Sequence, residues 1–261
     1  MEMTGEEAID LQLQQQQFWW QKHDEQQVAL YATLGVFLVT LFVVFSVYLA
    51  AIRRKKSDTI LIVGLSGSGK TVLYYQLRDG STHEGTVTSM QPNEDRFVLH
   101  SELEKKGKLR AVHVVDVPGH ARLRPKLDEF LRQAQGIIFM VDALDFMPNI
   151  RPTAEYLFEV LSKPLVVKKK IPVLLVCNKM DKVTAHSMDF IRKQLEKEID
   201  KLRTTQSSIS EADLSSGVFL GTQGEAFKFT QCTNKLTVVE SSALTGKISE
   251  VEQFIRSYVK P

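Results

Sequence analysis

GLSGSGKT, Gly64 to Thr71, follows the apolar run DTILIV at 58–63 and leads into TVLYYQL, which reads as a helix. A strand, a glycine-rich loop and a helix in that order make a phosphate cradle. Gly64, Gly67 and Gly69 let the backbone wrap closely around phosphates, with Leu65, Ser66 and Ser68 between them, so that loop N–H groups and the helix N-terminus point inward. Lys70 is placed to pair with β- and γ-phosphates, and the Thr71 hydroxyl to reach a magnesium ion. The stretch predicts an α/β domain with a P-loop, built on a mostly parallel central sheet with helices on both faces.

Three further motifs follow in fixed order. LRAVHVVDVPG (109–119) reads as a strand delivering Asp116, whose carboxylate can hold magnesium through water, and Gly119, whose N–H can meet a γ-phosphate. GIIFMVDAL (136–144) and IPVLLVCNKMD (171–181) are nearly continuous apolar runs, as expected of central parallel strands. The second ends in NKMD, which selects the base. Asp181 can accept the N1–H and 2-amino protons of guanine, Asn178 braces the loop, and the Lys179 stem covers the ring. A site built around such hydrogen bonds rejects an analogue lacking them by about 10⁴ to 10⁵, so GTP and GDP with Mg2+ are the expected ligands and ATP is excluded. The last strand, KLTVVESSA, brings Ser241, Ser242 and Ala243, with the Ala243 N–H expected near guanine O6.

Between these motifs, DGSTHEGTVTSMQPNEDRF (79–97) lacks hydrophobic periodicity and reads as a loop ordered by phosphate and magnesium. A helix is expected over 186–203 and another over 249–258, the latter with Val251, Phe254, Ile255 and Tyr258 on one face. The Ser-, Thr- and Gly-rich stretch 204–229 is longer than an ordinary connection.

The remaining N-terminal residues carry a different signal. Val28 to Ile52 contains no charge, and as a helix it would measure about 37 Å, enough to cross a bilayer. The expected organisation is therefore a tail over 1–27, a transmembrane helix over 28–52, a basic flank over 53–57 and one nucleotide-binding domain over 58–261. Arg53, Arg54, Lys55 and Lys56 put that domain in the cytosol by the positive-inside rule. The 261 residues are 43% hydrophobic and 25% charged, with net charge +2, a smaller Lys/Arg excess than a uniformly basic nucleic-acid surface would leave, so no direct DNA binding is expected. Two cysteines, Cys177 and Cys232, sit in no metal-ligand spacing.

The motifs GLSGSGKT, TVTSMQPNE, DVPGH, NKMD and ESSA, joined to an N-terminal apolar span, resemble the β-subunits of the signal recognition particle receptor, small GTPases close to Sar and Arf. The resemblance implies that Thr88 coordinates magnesium, with Thr86 as its rival, and that His120 stands where a catalytic water is positioned. It implies a heterodimer with the receptor α-subunit, bound through GTP-ordered loops. Indirect partners would be the signal recognition particle, the ribosome and the translocon. It also implies a single-pass location in the endoplasmic reticulum membrane with the tail lumenal. Hydrolysis without a partner is expected to be slow, with Arg122 and Arg124 the nearby candidates for an added arginine. The alternative is a Sar/Arf-like GTPase of membrane traffic whose hydrolysis cycle drives coat or tether assembly.

Overall fold

The computed structural model describes residues 33–48, 58–81, 89–103, 110–210, 220–222 and 224–259. The chain forms two units, residues 1–56 and 57–261. In the first, residues 33–48 form a helix (α1). This corrects the expected transmembrane span. No helix among the described residues is long and apolar enough to cross a membrane. The single-pass placement in the endoplasmic reticulum membrane rested on that span and is corrected with it. Residues 28–32 and 49–52, the tail 1–27 and the flank 53–57 lie outside the described residues.

In the second unit, alternation along β1 (Thr59–Gly64) builds two cores at once. All six of its residues are buried, and successive side chains point to opposite faces of the sheet. Leu61 and Val63 join Leu157 of α4 (Ile150–Ser162) and Ile191 and Leu195 of α6 (Met188–Ser210). Ile60 and Ile62 join Leu73 and Leu77 of α2 (Lys70–Asp79) and Val251 and Ile255 of α7 (Ser249–Tyr258). Each such fully buried aliphatic side chain contributes about 1.5–3 kcal/mol.

Six strands form one sheet. β2 (Asn93–Phe97), β3 (Val112–Asp116), β4 (Ala134–Asp142), β5 (Val173–Asn178) and β6 (Leu236–Glu240) join β1 in the order β2-β3-β1-β4-β5-β6. Every pairing is parallel except β2 with β3. The carboxyl ends of β1, β3, β4 and β5 therefore lie along one rim, where α/β sheets bind ligands. Two short helices, α3 (Lys126–Leu131) and α5 (Pro164–Lys169), complete the unit.

Two stretches differ from expectation. β2 occupies part of the predicted loop 79–97. It is an edge strand whose middle three residues are exposed, so NEDRF carries no apolar alternation to announce it. Of the long stretch 204–229, the described part is tied to α6. Arg203 donates to the carbonyls of Leu220, Thr222 and Glu225, Asp200 accepts from Phe227 N, and Glu196 accepts from Phe229 N.

Candidate nucleotide site

The phosphate loop takes its shape from backbone positions that side chains would obstruct. Gly69 caps α2 with φ 91°, and no side chain competes for the first-turn N–H groups. A Cβ on Gly69 would lie 2.3 Å from Asn178 Nδ2, and one on Gly119 2.5 Å from Gly64 O. The DVPG turn thus packs backbone to backbone against the loop. Lys70, buried, donates from Nζ to Leu65 O at 2.8 Å, spanning the loop it follows. Burial pulls its ammonium down to about 8, against the raising effect of the Asp116 carboxylate. Ser66, Gly67, Ser68 and Lys179 line a cleft of about 460 Å³ that extends to Asp142.

Asp116 sits at the centre of a second corner. It is 1% exposed, and burial raises its pKa against the lowering effect of donors from Thr71 and Asn93 and of the Lys70 charge. Both donors meet the same oxygen. Thr71 Oγ1 donates to Oδ2 at 2.7 Å and Asn93 Nδ2 at 3.0 Å, whereas the buried Oδ1 has no hydrogen-bond partner among the described residues. A buried carboxylate oxygen beside a threonine hydroxyl suits a hard cation with oxygen ligands such as Mg2+. Among the described residues no cluster of three or more His, Cys, Asp or Glu could hold a metal by itself. A magnesium ion would therefore take most of its ligands from phosphate and water, as is its habit.

The third corner is organised by one amide. Asn178 is 3% exposed at the end of β5. Its Nδ2 donates to Ser68 O at 2.9 Å, while its Oδ1 accepts from Ala243 N at 3.0 Å and Ser241 Oγ at 3.2 Å. Three motifs separated in sequence meet on this side chain. Beside it, Ser242 Oγ donates to Asp181 Oδ1 at 2.7 Å, the leading reason the Asp181 carboxyl sits below its ordinary range. Lys179, at φ 67°, donates to Asp142 Oδ2 at 2.5 Å. The Ala243 N–H, expected near guanine O6, is directed at Asn178 in this structure.

The structure thus brings together Gly64 to Thr71, Asp116, Gly119, Asn178, Lys179, Asp181, Ser242 and Ala243. Thr88 and Thr86 lie outside the described residues, although Ser89 Oγ stands 3.3 Å from Thr71 Oγ1. His120 is turned to another task. It caps the 3₁₀ turn Ala121–Leu123, its exposed ring accepting at Nδ1 from Arg122 N. Arg124 lies 4.4 Å over the Tyr156 ring and near Glu159 of α4. Sequence reasoning missed Asn93, Ser89 and Asp142. The first two were hidden in a polar stretch read as loop. Asp142 stands in the quoted run at 136–144, and its place at the carboxyl end of a buried strand was the available signal.

Known proteins resemble this chain. Residues 55–236 match the family described as the signal recognition particle receptor beta subunit. The chain is similar to the signal recognition particle receptor subunit beta of Homo sapiens, 34% identical over 199 residues that cover 75% of this chain and 71% of that protein. It is also similar to the solved structure of the mammalian SRP receptor, with TM-score 0.67 and 31% identity over 77% of this chain and 99% of that one. The SRb-GTP/SRX complex from Chaetomium thermophilum matches at TM-score 0.62 and 19% identity, covering 77% of this chain and 99% of that one, a likeness of fold alone.

Proposed function

The chain belongs to the signal recognition particle receptor beta subunit family, and from that premise we infer that it is the GTP-binding subunit that joins the receptor α-subunit during protein targeting. Residues 58–261 form the nucleotide-binding domain. Gly64 to Lys70 hold the phosphates, with Lys70 supplying charge to the outer two. Thr71 and Asp116, with Thr88, hold Mg2+, which when bound neutralises phosphate charge. Gly119 N–H meets the γ-phosphate. Asp181, ionised and oriented by Ser242, reads the guanine edge, while Lys179, aligned by Asp142, covers the ring. His120 stands beside the DVPG turn as the residue that would position a catalytic water.

One observation carries this reading. The Asn178 amide, itself part of NKMD, ties the phosphate loop to the SSA turn at a single buried point, so base recognition and phosphate binding are built on one junction. Loops held by a γ-phosphate then form a partner's docking surface, in keeping with a fold like that of the SRb-GTP/SRX complex. The test is capture of the α-subunit by the full chain loaded with GTP, loaded with GDP, or stripped of nucleotide. Capture confined to the GTP-loaded chain is expected. Equal capture in all three states would overturn the proposal.

A further inference from the structure

We propose that Asn93 is a positioning residue for the magnesium site, fixing the rotation of the Asp116 carboxylate so that one oxygen is reserved for the cation. The inference rests on the nucleotide reading above. Asn93 is the first residue of β2 and is paired in antiparallel register directly opposite Asp116. Directly opposed side chains leave the same face of the sheet with Cβ atoms about 5 Å apart, so the short amide reaches across. The acceptor is a carboxylate, so the end of the amide in contact is necessarily the NH₂. Asn93 Nδ2 donates to Oδ2 at 3.0 Å, with Ser89 Oγ at 3.5 Å.

A carboxylate can spin about its terminal torsion, whose wells are broad. The Thr71 hydroxyl alone is one donor and can follow that motion. With Asn93 as the second donor on the same oxygen, the plane is held, and Oδ1 stays unpartnered inside the buried corner. Packing offers no competing reason for this residue. Glu94, Asp95 and Arg96, which follow it on the edge strand, are exposed, and the β2 ladder is held by its backbone pairing to β3.

The test loads the full chain with a fluorescent GDP analogue and measures the Mg2+ concentration that half-maximally slows its release. Wild type is compared with Asn93→Ala and Asn93→Gln, and each release rate is repeated in EDTA. The expected result is a midpoint raised about tenfold by Asn93→Ala, the loss of one charge-assisted hydrogen bond. The longer amide of Asn93→Gln restores part of it, and the EDTA rates stay the same. Equal midpoints would overturn the proposal. So would faster release in EDTA, since a merely structural role perturbs the site with or without cation. A wild-type chain whose nucleotide release ignores Mg2+ would instead defeat the reading of the site itself.

Discussion

The base corner and the magnesium corner lie on the same sheet rim, at the ends of β5 and β3 with β1 and β4 between them, yet they are finished to different degrees. Around Asn178 both ends of the amide have partners within the protein, and Asp181 is oriented by Ser242. Around Asp116 one carboxylate oxygen is doubly satisfied and the other, buried, has no partner among the described residues. A buried acceptor without a partner costs about 1–3 kcal/mol. The difference teaches that base selection is built into the fold, whereas the phosphate end is completed by what it binds. On the proposed function, preorganised recognition sets which nucleotide is chosen, and a cation beside Asp116 would set how tightly it is held.

The largest expected effect is on the base side. Asp181→Asn should reverse one donor–acceptor match and lower GTP affinity by at least about 10³-fold while improving xanthosine nucleotides. Competition binding reads both, and undiminished GTP preference would break the claim that this corner selects the base. Next, Asn178→Ala leaves Ser68 O, Ala243 N and Ser241 Oγ without their shared partner, and should lower unfolding stability by about 3 kcal/mol in denaturant titration. A change within about 0.5 kcal/mol would show that the junction is not what holds the three motifs together.

A pH series sharpens the contrast from the phosphate side. Desolvation brings Lys70 to about 8, while bound phosphates favour its charged form, so binding above that pH takes up a proton. Affinity should be level below about pH 8 and fall by up to about tenfold per unit above it, with the guanine-to-adenine ratio unchanged. A rise in affinity with pH would contradict the assignment. The smallest effect is Ser242→Ala, which removes one hydroxyl from an Asp181 that retains other contacts, and should weaken GTP by about fivefold without altering the Mg2+ requirement.

Much of this was legible in the residues. β1 and the phosphate loop announce themselves because a fully buried apolar hexapeptide ends in glycines, and α7 because its apolar face repeats at helical spacing. NKMD and SSA could be placed at strand ends for the same reason. Asn93 could not, since an exposed edge strand lacks the alternation that marks a half-buried one, and its partner is determined by register rather than by sequence distance. His120 illustrates a second limit: its identity suggests catalysis, but nothing in the sequence announces that its ring accepts from the N–H two residues on. The apolar run 28–52 suggested a span, but no helix among the described residues is long and apolar enough to cross a membrane.

The most direct test of the division of labour measures GTP and ATP binding to the full chain with Mg2+ and again after EDTA. The account predicts that removing the cation weakens GTP at least about tenfold yet leaves the preference for GTP over ATP intact. Collapse of that preference together with the affinity would contradict it, because base selection would then depend on the corner that the cation completes.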